Sequence, residues 1–412
     1  MARTLSVYLA RRLVGELEQD DGGQMWFRYD TAWLDSADSF PISHSLPLQD
    51  APFNQKACQG FFGGTLPEDA NRRVIARILQ ISDKNDFALL ARIGGECAGA
   101  LIFIPQGETL PPADSEYLPL SEAELHDILT VLDRRPLLAG EKGVRLSLAG
   151  AQDKLAVALD NEGRLSLPLH YAPSTHILKP ALSTWGGIVS NENYCMALAL
   201  ACGLNAAATS AHSVAGIDYL LSERFDRSRM AEGAIRRLHQ EDFCQALGVR
   251  SEIKYQADGG PGLADCFAVL RQVSTDIVRD VRDLLEAVLF NLLIGNNDAH
   301  AKNYSVLYSE NGSARLAPLY DLVCTVYYPE IENRLAMKIG GEANPDLVGP
   351  AHLEAFAKEA GLGPAAVRRN LIELAVRVQA RAGEVLQPDH TAQGVAEIVM
   401  QRCERVLLRF RR

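Results

Sequence analysis

The sequence predicts an α+β chain of two lobes preceded by a small α+β unit, and three patterns carry that expectation. Residues 144–227 read as strands interrupted by one helix, and residues 228–412 read as mostly helical. The first 105 residues mix short alternating strands with two helical patterns and close on a proline-rich connector. A strand-rich lobe followed by a helical one leaves the cleft between them as the expected place for a ligand.

Each element follows from local chemistry. Residues 4–30 alternate as strands around an Asp-Asp-Gly-Gly turn at 20–23. Helical periodicity at 67–79 and 84–92 precedes a strand at 98–104 and the connector PQGETLPPADSEYLPL. The stretch 106–143 is a linker plus a helix, which Ser121 and Glu124 start as a capping box and which runs toward residue 133. From 144 come the strands VRLSL, KLAVALD, RLSLPL and THILKP, with Asn161 and Gly163 marking a turn. The helix NENYCMALALACG ends at Gly203, and strands over 210–223 turn at Ala215-Gly216. After Arg227 helices are expected at 240–247, 262–273, 276–294, 351–360, 364–386 and 391–411, with 304–323 as the exception.

Composition narrows the function. An apolar content of 47% over 412 residues is that of a folded chain. A formal charge of −11 argues against wrapping nucleic acid with a general basic surface, because phosphate binding needs clustered Lys and Arg. The one dense basic run, RCERVLLRFRR, reads as the end of an amphipathic helix whose cations face the negative end of the dipole. The cysteines at 58, 97, 195, 202, 244, 266, 324 and 403 form no C-x-x-C pair, and the histidines show no metal-ligand spacing. These read as buried thiols in a reducing compartment. Neither a signal peptide nor an apolar stretch of about 20 residues is visible, so a cytoplasmic protein without a membrane segment is expected.

The chemistry concentrates in GNNDAHAKNYSV (295–306), which follows the apolar Leu292-Leu293-Ile294. YSVLY (304–308) reads as a strand, SENGS as an Asn-Gly turn and ARLAPL (314–319) as the return strand. Such a hairpin returns Asp321 to Asn303, with Asp298 close by. An Asp and an Asn can hold magnesium through oxygen while ATP supplies the remaining ligands, and a separate Asp can accept the proton of an attacking hydroxyl. In that assignment Asp298 is the base, and Asn303 and Asp321 are the metal ligands. His300 and Lys302 position the loop or stabilise charge. The bland alternative is a polar loop capping a helix, since D-x-x-x-x-N alone is a common pattern.

Upstream, SLAGAQDK (147–154) joins two strands through a Gly-containing loop whose N–H groups could cradle phosphates. It is not a Walker loop, and an ordinary hairpin loop would read the same way. Lys179 ends the apolar strand THIL and calls for an anionic partner. Glu192, in the first turn of the next helix, is a candidate; a snorkelling Lys and a Glu favoured at a helix start would also account for the pair. The strand YLLSERF (219–225) could offer backbone groups to an adenine edge.

These pieces, in this order, resemble the HipA family of bacterial serine/threonine kinase toxins. The likeness runs through SLAGAQDKLAV, THILKP, NENYC, SERFDR, QEDFCQALG, KYQADGGPG, GNNDAHAKNYSV and LYDL. The N-terminal unit resembles the short domain preceding the kinase core in full-length members. The resemblance implies a divergent two-lobed protein-kinase-like fold, with a D-x-H-x-x-N spelling similar to that of phosphatidylinositol-type kinases. It implies ATP- and Mg2+-dependent transfer to a serine of a protein, in the family an aminoacyl-tRNA synthetase of the glutamyl type, which inhibits translation and growth and is linked to persistence. By position, Asp298 matches the base, Asn303 and Asp321 the metal ligands and Lys179 the ATP-phosphate lysine. Ala149, Gly150, Ala151, Gln152 and Lys154 match the phosphate loop, and Glu223 with Phe225 the adenine segment. Ser147 matches an autophosphorylated serine whose added charge would repel ATP phosphates and switch the enzyme off. A helix-turn-helix antitoxin of the HipB type is the implied partner, with DNA reached mainly through it. The spelling NNDAH departs from the family's small-residue form, and the segment after Tyr328 is only weakly similar.

Two other classes compete. A catalytically weak corepressor acting with the antitoxin would not need Asp298, Asn303, Asp321 and Lys179 together. A small-molecule kinase of the aminoglycoside or sugar type shares the Asp, Asn and Asp, and differs in causing no growth arrest on expression.

Overall fold

The computed structural model describes residues 3–110, 116–182, 184–230 and 233–410. Part of the connector, 111–115, and the last two arginines of the basic run lie outside the described residues. The chain divides into two compact units. One takes residues up to Pro180 with His212–Glu252 and Leu307–Ala314; the other takes Ala181–Ala211, Ile253–Val306 and Arg315 onward.

In the first unit, strands Met25–Tyr29, Arg12–Gln19, Arg3–Leu9 and Leu101–Pro105 form an antiparallel sheet in that order. Its period-two alternation buries Leu5, Val7 and Leu9 on one face. The helices Gln55–Phe62 and Asp86–Ile93 start at Asn54 and Asn85, whose side chains accept N–H groups of Ala57 and Ala88. Their apolar sides supply Phe61, Phe62, Leu89 and Leu90 to the core. A second sheet runs Thr209–Val214, Ile217–Glu223, His176–Pro180, Leu155–Leu159, Leu165–Pro168 and Tyr117–Pro119. One buried cluster joins Leu5, Phe62 and Phe103 to Leu148, Leu155, Val157, Leu178 and Leu221, so the N-terminal sheet and the second sheet share a single core.

Charge ties the same parts together. Glu96 is buried and accepts from Arg224 at 3.2 Å, Arg227 at 2.7 Å and Ser174 Oγ at 2.8 Å, and it also pairs with Arg237. Asp226, equally buried, pairs with Arg224 at 2.7 Å and accepts the Gly99 N–H at 2.7 Å. Burial by itself would raise the Glu96 pKa; Arg227, Arg237 and Arg224 outweigh that and hold it down at about 2.

The second unit is built on the helices Ile188–Ala201, Leu263–Val273, Ile277–Ile294, Pro350–Glu359, Pro364–Arg381 and His390–Phe410. Ile277–Ile294 is buried over most of its length, which accounts for its apolar run, and Phe267 packs on Phe356 at 6.0 Å. The C-terminal helix is amphipathic, burying Val395, Val399, Cys403, Leu407 and Phe410. All eight cysteines are buried thiols. Among the described residues no helix is long and apolar enough to cross a membrane.

Three expectations are corrected. The segment after Arg227 is not helical at first: Arg227–Arg229, Ile235–Arg237 and His239–Asp242 are strands, and the helix expected at 240–247 shrinks to Phe243–Ala246. VRLSL contributes only Leu146–Ser147, paired in parallel with Glu96–Cys97. The helix holding NENYC starts at Ile188, so Glu192 lies beyond the first turn, where the dipole argument loses its force. The Ser121–Glu124 capping box forms as expected.

Candidate active site

The turn that carries the acidic residues is assembled by the end of Ile277–Ile294. Gly295 closes the helix at φ +74, and a Cβ there would lie 2.5 Å from Val326 Cγ2, so both conformation and space require glycine. Asn296 then binds back: its Nδ2 donates to Asn291 Oδ1 at 2.8 Å and its Oδ1 accepts the Asp298 N–H at 3.1 Å. The Asn297 N–H donates to Thr325 Oγ1 at 2.8 Å. Asn296 thus holds the turn through its side chain, and Asn297 adds a side-chain contact of its own, Nδ2 donating to Asn333 Oδ1 at 3.0 Å. Asp298 emerges exposed, while His300, Lys302 and Asn303 are buried.

The hairpin forms as expected, with strands Ser305–Tyr308 and Ala314–Leu316 and the Ala317 N–H donating to Ser305 O at 2.8 Å. Its return strand is fastened by the buried Asp280, which takes Arg315 Nη2 at 2.9 Å and the Leu316 N–H at 2.9 Å. Tyr320 Oη donates to Lys302 O at 2.6 Å. The chain then turns through Asp321 at φ +60, a left-handed conformation that side chains other than glycine adopt at a cost. That turn sets Asp321 Oδ2 3.5 Å from Asn303 Nδ2. The Tyr255 hydroxyl donates to Asp298 Oδ1 at 2.9 Å.

Asn303 Nδ2 faces the Asp321 carboxylate as a donor; with the amide turned over, its oxygen and that carboxylate would together offer two hard donors to one divalent cation. Cys324 sits just beyond, its thiol pushed up to about 12 by burial, and so stays a protonated packing group.

In the first unit Ser147 is fully buried and its hydroxyl donates to Thr65 O at 2.9 Å. The following loop is held by residues that sequence reading missed. The Gly150 N–H donates to Glu68 Oε1 at 3.2 Å, and Asn71 Nδ2 donates to Ala151 O at 3.0 Å. Lys154 Nζ closes the loop on Ala149 O at 2.7 Å, while Ala151 is exposed and Gln152 half-buried. Lys179 is buried on His176–Pro180, opposite Leu220. Glu223, opposite His176, is exposed and Phe225 half-buried. Glu192 is buried in its helix in the second unit.

The comparisons with known proteins cover nearly the whole chain. The HipA N-terminal domain matches residues 5–104, and the HipA-like C-terminal domain matches residues 146–382. The Sinorhizobium fredii protein Y4mE is 45% identical over 401 residues, 96% of this chain and 92% of that protein. The serine/threonine-protein kinase toxin HipA of Shewanella oneidensis is 32% identical over 431 residues, 98% of this chain and 96% of the toxin. The solved complex of Shewanella oneidensis HipA, HipB and operator DNA matches with a TM-score of 0.86 at 31% identity, covering 97% of each chain. The predicted fold is that of this structure, and the chain belongs to the HipA family.

Proposed function

We propose that this chain is a kinase toxin that transfers the γ-phosphate of ATP to a serine of a protein, with Mg2+ as cofactor. The observation that carries this reading is the approach of Asn303 to Asp321 at 3.5 Å beside an exposed Asp298. Asn303 and Asp321 would hold the cation, which would supply positive charge against the phosphates of ATP. Asp298 orients the acceptor hydroxyl and takes its proton. His300 and Lys302, both buried, keep that turn in shape. Lys179 balances phosphate charge, the loop from Ala149 through Gly150, Ala151 and Gln152 to Lys154 wraps the phosphates, and Glu223 with Phe225 meets the adenine.

Likeness to the Shewanella oneidensis toxin and to its complex with HipB and operator DNA supports the toxin and antitoxin parts of this reading, and the target and self-phosphorylation rest on the family resemblance of the sequence. The acceptor is an aminoacyl-tRNA synthetase, of the glutamyl type by family resemblance, so that transfer stops translation and growth in the cytoplasm. Ser147 is the self-phosphorylation site and off-switch. A HipB-type antitoxin binds the chain and carries it to operator DNA, consistent with the net charge of −11.

Purified chain incubated with γ-labelled ATP and a bacterial lysate should label one protein on a serine, and EDTA should abolish the label. Expression alone should arrest growth, and a co-expressed neighbouring DNA-binding protein should relieve it. Absence of label on both the chain and the lysate would remove the kinase reading.

A further inference from the structure

The word KYQADGGPG (254–262) has no part in the roles above, yet its residues build one device. Gly260 N–H donates to Tyr255 O at 2.9 Å, and a Cβ on Gly260 would lie 2.1 Å from Ile253 O, so the turn closes only with glycine there. Gln256 fastens the turn outward: its Oε1 accepts the Lys338 N–H at 2.7 Å and its own N–H donates to Ala336 O at 3.2 Å. The Ala336 N–H donates in turn to Asn297 O at 2.7 Å, one residue before Asp298. The loop is thus moored to the very turn that bears the proposed base. What it presents there is Tyr255, whose hydroxyl reaches Asp298 Oδ1 at 2.9 Å and whose ring stands edge-on to His300 at 5.3 Å.

We infer that Tyr255 is a positioning residue for Asp298: its hydroxyl fixes the carboxylate through Oδ1, so that Oδ2 is the oxygen turned to the acceptor's proton. This rests on the kinase reading. A base works only within hydrogen-bond reach of the proton it takes, so the orientation of its carboxylate matters. A donor on Oδ1, mounted on a braced loop, contributes to setting that orientation.

The test is Tyr255→Phe, which deletes only the hydroxyl and keeps the ring against His300. Label transferred from γ-labelled Mg-ATP to the chain itself and to lysate protein is followed against ATP concentration. A positioning role predicts kcat lowered about tenfold, the loss of one hydrogen bond to a charged group, with KM for ATP unchanged. Gln256→Ala, which loosens the mooring, should lower kcat in the wild-type background and have no further effect in Tyr255→Phe. Undiminished kcat in Tyr255→Phe, or a loss confined to KM, overturns the inference while leaving the kinase reading in place. No label from the wild-type chain removes both.

Discussion

Asn303 Nδ2 and Asp321 Oδ2 stand 3.5 Å apart although eighteen positions separate them in the chain. The hairpin between them, fastened at its return strand by Asp280 and Arg315, makes the approach a property of the backbone. Substituting either residue by Ala should therefore raise the Mg2+ concentration needed for half-maximal transfer and lower the maximal rate by about 100-fold or more, because several kcal/mol of charge stabilisation are lost. The check is a Mg2+ titration of label transfer. A wild-type Mg2+ dependence in Asp321→Ala would exclude it as a ligand.

Ser147 offers a second test, because its hydroxyl is buried on Thr65 O and must leave that contact to meet a phosphoryl group. Ser147→Ala should abolish label on the chain while label on the lysate target persists. Loss of one buried hydrogen bond should cost only about 1 kcal/mol of stability. Peptide mapping of the labelled chain decides the matter, and full self-labelling of the Ala variant would place the site elsewhere.

The cluster around Glu96 predicts the acid limb of stability. Its pKa is held down at about 2 against an ordinary 4.5, so its contribution is complete above about pH 4.5 and is lost as pH falls toward 2. That shift corresponds to about 3 kcal/mol. Glu96→Gln should flatten this part of the stability curve. It should also destabilise the fold at neutral pH by about 3–5 kcal/mol, since Arg224, Arg227 and Arg237 remain buried. Urea unfolding from pH 2 to 7 measures both effects.

Glu241 predicts the opposite slope. It is buried, and although Ser43, Tyr308 and the His44 N–H all donate to it, burial prevails and raises its pKa to about 7. The protonated form is the one favoured by folding. Its contribution is complete below about pH 4.5 and disappears as pH rises through 7. Glu241→Gln, permanently neutral, should remove that decline. Thermal midpoints of the two proteins compared from pH 5 to 8 would show it, and parallel curves would refute the assignment.

What could be read in the sequence was whatever depends on neighbours. The Asn311-Gly312 turn, the Ser121–Glu124 capping box and the apolar run before Gly295 each announce their structure within a few positions. The convergence on Asp321 followed, because a hairpin's geometry is local. The strands Arg227–Arg229, Ile235–Arg237 and His239–Asp242 escaped because they carry charged residues where alternating apolar ones were sought. Arg227 and Arg237 turn inward to Glu96, 131 and 141 positions away. Glu68 and Asn71 on the loop after Ser147 were invisible for the same reason, as was Tyr255 at Asp298, 43 positions on. SERFDR and KYQADGGPG marked the family; only coordinates give their residues a chemistry.

The proposed role of Asp298 is to draw the proton from a hydroxyl that attacks ATP. The most direct measurement compares wild-type chain and Asp298→Asn for label transfer and for Mg-ATP affinity by calorimetry. Transfer by Asp298→Asn should fall by about 100- to 10,000-fold with affinity nearly unchanged. Transfer at the wild-type rate by Asp298→Asn would contradict it.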